Sequence, residues 1–115
     1  MTVTIYHNPR CSKSRQTLAL LEEKGIAPKI VKYLETPPSA AELKRVLKKL
    51  GLKPRDILRT GEARYAELGM QDSSLTDDAL IAAMVANPIL IERPIVVSGD
   101  KAAIGRPPEA VLKIV

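Results

Sequence analysis

Cys11 is the one cysteine of this chain, and it stands in the segment His7-Asn8-Pro9-Arg10-Cys11-Ser12-Lys13-Ser14-Arg15, between an apolar stretch and a helical pattern. A thiol at the start of a helix meets unpaired backbone N–H groups and the positive end of the helix dipole. Arg10, Lys13 and Arg15 add cationic charge. Each effect favours the thiolate, which is the nucleophilic form. A lone cysteine is more often a small buried residue, but the polar neighbours and the strand-to-helix setting reverse that expectation here. His7 can act on the thiolate by imidazolium charge or by a hydrogen bond through the loop, or it can simply end the first strand. Asn8 can bond loop backbone groups while Pro9 fixes their path. Ser14 can donate to the thiolate or to an oxyanion, or bond within the first helical turn.

The elements that must position these groups follow from periodicity. Thr2 to Tyr6 alternates β-branched and aromatic residues and predicts a buried parallel strand. Ser12 to Lys24 carries Leu18, Leu20 and Leu21 at helical spacing with Gly25 as its stop, and Lys29 to Leu34 returns to strand character. This is a βαβ unit. After Thr36-Pro37-Pro38, Ser39-Ala40-Ala41-Glu42 matches a capping box for a helix through Leu43, Val46, Leu47 and Leu50, ended by Gly51. Pro54 to Leu68 reads as short helical pieces, and Thr76-Asp77-Asp78 caps Ala79 to Val85. Beyond Asn87-Pro88, two short strands at Ile95-Val96-Val97 and Ala102-Ala103-Ile104 flank a turn, and Pro107-Pro108-Glu109 opens a last helix.

The chain of 115 residues fits a single domain, 1–115, large enough to bury a core without staples. It has no long apolar run for a membrane span and no signal-peptide pattern at its start, so a cytoplasmic location is expected. One cysteine cannot close an internal disulfide, and one histidine beside it cannot complete a zinc site, so no metal is expected. The net charge of +5 is uneven, with thirteen Lys/Arg against five Asp/Glu in residues 1–60 and five against eight in residues 61–115. A basic half is compatible with nucleic acid, but no Trp, no Phe and three Tyr leave few stacking platforms. A small anionic substrate accounts for the charge as well, while Lys44, Arg45, Lys48, Lys49 and Lys53 read as the solvated face of one helix.

Four segments in order, His7-Asn8-Pro9-x-Cys11-x-x-Ser14-Arg15, Leu58-Arg59, Asn87-Pro88-Ile89-Leu90-Ile91-x-Arg93-Pro94-Ile95-Val96-Val97 and Arg106-Pro107, resemble the glutaredoxin-coupled arsenate reductases along essentially the whole chain. The resemblance implies an α/β thioredoxin-like fold: a four-stranded mixed sheet, β-α-β then a helical insertion then β-β-α, flanked by helices. It implies a cis peptide at Arg93-Pro94, with Pro94 lying against the cysteine. It implies that Cys11 attacks arsenate and that Arg59, Arg93 and Arg106 hold the oxyanion, whose charge would otherwise repel a thiolate. His7, Asn8, Ser14, Arg15 and Pro94 take supporting places.

Ser14 occupies the position of the resolving cysteine in dithiol oxidoreductases, and a hydroxyl cannot close a disulfide. The resemblance therefore implies glutathione as co-substrate and glutaredoxin as partner, with no bound cofactor; a monomer is expected, and the composition argues against contact with nucleic acid or membrane. The competing expectation is a thioredoxin-fold protein that binds glutathione or a partner and has no arsenate activity.

Overall fold

The computed structural model describes residues 2–115. Its contacts gather into two compact units, one formed by Met1–Thr36 with Arg93–Val115 and the other by Pro37–Glu92.

The first unit is built on a four-stranded sheet of order β2-β1-β3-β4, from β1 (Val3–Tyr6), β2 (Lys29–Val31), β3 (Ile95–Ser98) and β4 (Lys101–Ile104). β1 runs parallel to β2 and antiparallel to β3, and β3 and β4 form an antiparallel hairpin. The sheet is thus mixed, as expected of the thioredoxin-like fold. Helix α1 (Ser12–Glu23) is the crossover between the parallel strands. The register sets Ile5 opposite Val96 and Val96 opposite Ala103, a row on one face of the sheet. Ile5 and Val96 join Leu21 of α1 and Val111 in a buried cluster, with Val3, Leu18, Ile26, Ala103 and Ile114 packed around it. Burying such a set drives the folding of this unit.

Two expectations are corrected. Strand β2 stops at Val31, because Lys32 turns the chain: its carbonyl accepts from the amides of Glu35 and Thr36, both at 2.9 Å. The last helix is a 3-10 turn, Pro108–Lys113, since Pro107 and Pro108 remove early amide donors and the segment is only six residues long.

The second unit holds α2 (Ala40–Leu50), α3 (Ala63–Glu67) and α4 (Asp77–Ala86), with 3-10 turns at Pro54–Ile57 and Pro88–Leu90. Ser39 caps α2 by accepting from the Glu42 amide at 3.1 Å, and Thr76 caps α4 by accepting from the Ala79 amide at 3.1 Å. Gly51 ends α2 at a φ of 69°, the left-handed conformation a side chain disfavours. Among the described residues no helix is long and apolar enough to cross a membrane.

Candidate active site

The loop before α1 is tied at almost every polar group. The Cys11 amide donates to the Asn8 carbonyl at 3.0 Å, a turn with Pro9 in the position its fixed φ suits. The Asn8 side chain accepts from the Arg10 amide at 3.0 Å, and Arg15 reaches back from α1 to donate to the Pro9 carbonyl at 2.8 Å. Cys11 is the N-cap residue of α1, with its own carbonyl accepting from the Arg15 amide at 3.0 Å.

Beneath the loop, Ser14 is fully buried and its hydroxyl lies 2.7 Å from Nδ1 of His7 and accepts from the Asn8 amide at 3.0 Å. His7 is itself only 6% exposed, and burial, then the charges of Lys32 and Arg15, hold its pKa below the ordinary 6.5. A neutral imidazole bearing its proton on Nε2 satisfies all three groups, with Ser14 donating to Nδ1 while accepting from Asn8. The Ser14 hydroxyl thus joins Nδ1 of His7 to the Asn8 amide beneath the loop. Ser14 supports it through its hydroxyl, which is engaged with His7 and Asn8, while its backbone amide serves the sulfur.

The sulfur of Cys11 is half-buried, which pushes its pKa up, but the opposing effects prevail and the thiol sits below its ordinary 9.0. The amide of Ser14, a hydrogen bond from the Arg93 side chain, the amide of Lys13 and the charge of Arg106 favour the anion, in that order. The two amides bear on the sulfur as helix N-terminal dipoles without completing a full capping bond. Arg106 donates from Nη2 to Sγ at 3.5 Å.

Arg93 and Arg106 reach this sulfur because the β3–β4 pairing continues one step past Ile95 and Ile104. The Gly105 amide donates to the Pro94 carbonyl at 2.9 Å, and Nε of Arg106 donates to the Arg93 carbonyl at 2.9 Å. The Arg93-Pro94 peptide is cis as expected, and so is Arg106-Pro107. Gly105, which the motif reading passed over, is required by close approach: a Cβ there would lie 2.7 Å from Pro94 and collide with Thr17 of α1. Thr17 is fully buried and donates to the Lys13 carbonyl at 2.8 Å. Only the three-dimensional packing reveals this constraint.

Arg59 belongs to the second unit. Its amide donates to the Leu90 carbonyl at 2.8 Å, beside an isolated antiparallel bridge between Leu58 and Ile91. That pairing sets its guanidinium against two carboxylates, Nη1 on Glu92 at 2.6 Å and Nε on Glu62 at 3.2 Å. Burial alone would favour the neutral guanidine, and the two carboxylates more than reverse it, raising the pKa. Among the described residues there is no His/Cys/Asp/Glu cluster fit to hold a metal.

Residues 6–114 match the ArsC family. The chain belongs to the ArsC family. Its relatives include the Escherichia coli K12 protein YfgD, which is uncharacterized and 60% identical over 98% of this chain and 96% of that one. The arsenate reductase of Neisseria meningitidis serogroup A is 53% identical over 93% of this chain and 92% of its own. The solved structure of the arsenate reductase from Vibrio cholerae superposes with a TM-score of 0.98 at 60% identity, covering 100% of this chain and 98% of that one. This ArsC chain thus shares the thioredoxin-like fold of its structural neighbours.

Proposed function

We propose that this protein is an arsenate reductase that takes its electrons from glutathione and glutaredoxin, with Cys11 as the nucleophile. The observation that carries the reading is the meeting of Arg93 and Arg106 on the Cys11 sulfur, Arg106 at 3.5 Å. A thiolate beside two guanidinium groups is a nucleophile with an oxyanion subsite next to it, because each planar fork can bind two oxygens and offset the repulsion between two anions. We assign Arg59 to the substrate as well, on its match to the family motif.

Attack by the Cys11 sulfur forms an S–As bond and releases one arsenate oxygen as water after proton uptake. A glutathione thiolate then attacks the Cys11 sulfur, forming an S–S bond. The electron pair of the broken S–As bond stays on arsenic, As(V) becomes As(III), and arsenite leaves. A glutaredoxin thiol exchanges into the mixed disulfide and returns Cys11 as thiolate. Thiols carry both electrons, so the route needs no bound cofactor, and it suits a monomer in the cytoplasm, where thiols are kept reduced.

Purified protein supplied with arsenate, glutathione and glutaredoxin should release arsenite, with one disulfide formed per arsenite. Absence of arsenite above the protein-free rate with both thiol donors present overturns the reading.

A further inference from the structure

A cavity of about 280 Å³ opens beside the nucleophile loop, between Asn8–Arg10 and the turn at Lys32–Glu35, wholly within the first unit. Its wall carries both signs of charge: Arg10 and Lys32 are cationic and Glu35 is anionic. Among the described residues none of these three charged groups is engaged in a salt bridge or a side-chain hydrogen bond. Leu34, also on the wall, leaves 37% of its surface exposed. The chemistry described for the thiolate does not use this cavity.

We propose that the cavity seats the zwitterionic γ-glutamyl end of glutathione, an assignment that rests on the glutathione dependence proposed above. A bare oxyanion gains nothing from Glu35, and a simple amine gains nothing from two cations. A free amino-acid end satisfies both, its α-carboxylate meeting Lys32 and Arg10 and its α-ammonium meeting Glu35. The two methylenes of the γ-glutamyl chain find an apolar contact in Leu34. The reach is right: Arg10 and Cys11 are adjacent, with Cα atoms about 3.8 Å apart, and two residue lengths of peptide span about 7 Å. The thiol of a ligand anchored in the cavity can therefore arrive beside the nucleophile loop. Lys32 faces that loop, since its charge contributes to holding the His7 pKa down.

S-methylglutathione keeps the zwitterion but cannot form a disulfide, so it probes the cavity alone. Titrated into isotope-labelled full-length protein, it should shift the amide resonances of Asn8, Arg10 and Lys32 to Glu35. Glu35→Gln and Lys32→Gln should each weaken binding about fivefold, the scale of one solvent-exposed charge contact. S-methyl-cysteinylglycine, which lacks the γ-glutamyl group, should leave those resonances in place. Shifts confined elsewhere, unchanged affinity in both variants, or equal binding of the truncated peptide overturns the assignment. The parent reading fails separately: arsenite release that needs glutathione in wild type while the shifts fall elsewhere sinks only the cavity. Correct shifts without arsenite release sink only the reductase.

Discussion

Arginine is held in two different ways in this protein. Arg93 and Arg106 sit on strand extensions of the sheet and bear on a sulfur, Arg106 at 3.5 Å from Sγ. Arg59, in the helical unit, is clamped by Glu62 at 3.2 Å and Glu92 at 2.6 Å. The first arrangement uses guanidinium charge to stabilise an anion that the protein itself supplies. The second offsets the guanidinium charge with two carboxylates and fixes the fork through Nε and Nη1. Two arginines bear on the acidity of a thiol, and the third is fixed between two carboxylates.

The largest test of that contrast removes the anion itself. Cys11→Ser should lower arsenite release by ~10⁴-fold or more, because an alcohol is not ionised near neutral pH; arsenite release above one per cent of wild type breaks the comparison. The next removes the cations. Arg93→Ala and Arg106→Ala should each raise the pH midpoint for alkylation of Cys11 by iodoacetamide, Arg93 more than Arg106, since its hydrogen bond weighs more than the Arg106 charge. Arg59→Ala should leave that midpoint alone and raise the arsenate KM about tenfold, the scale of one charge-assisted hydrogen bond.

The sign of the pH dependence follows from the lowered thiol. Wild-type Cys11 should alkylate with a midpoint below its ordinary 9.0. The folded thiol is the stronger acid, so its ionisation stabilises the fold fully above the unfolded value and loses that contribution as pH falls through the folded one. Denaturation of wild type and Cys11→Ser across that range should show the difference between them narrowing as pH drops.

Smaller effects test how each arginine is placed. Gly105→Ala should cost about 1–3 kcal/mol in denaturant unfolding through overpacking against Thr17 and Pro94. It should also raise the Cys11 alkylation midpoint, because Arg106 follows directly in sequence; an unchanged midpoint would show that Arg106 does not depend on this close approach. Smallest is Glu92→Gln. This pair is partly solvent-exposed, with side-chain exposures of 23% and 26%, so about 1 kcal/mol or less of stability should be lost.

Much of the scaffold is written in local patterns. The Ser39 and Thr76 caps, the βαβ order and the strand pair after Pro94 follow from spacing and turn chemistry, and the structure has all of them. The end of β2 was not legible, because Lys32 and Tyr33 carry no turn signal and the stop is made by hydrogen bonds to the Lys32 carbonyl. The thiolate environment was half legible: the charges around Cys11 stand in the sequence, while Arg93 and Arg106 came from family resemblance, being 82 and 95 residues further along the chain. Gly105 and the Glu92 clamp were missed, because both are contacts between distant segments with no periodic trace.

The buried Ser14 hydroxyl constrains what else its position can hold. It closes the base of the loop by serving His7 and Asn8 together, at 2.7 and 3.0 Å. Sulfur is larger and a weaker hydrogen-bonding partner, so a cysteine at this position would loosen the turn that presents the nucleophile. Ser14→Cys would thus add a second thiol only by disturbing these two hydrogen bonds. On the chemistry proposed above, reliance on an outside reductant would rest on the architecture of this loop as well as on Cys11 being the one cysteine of the chain.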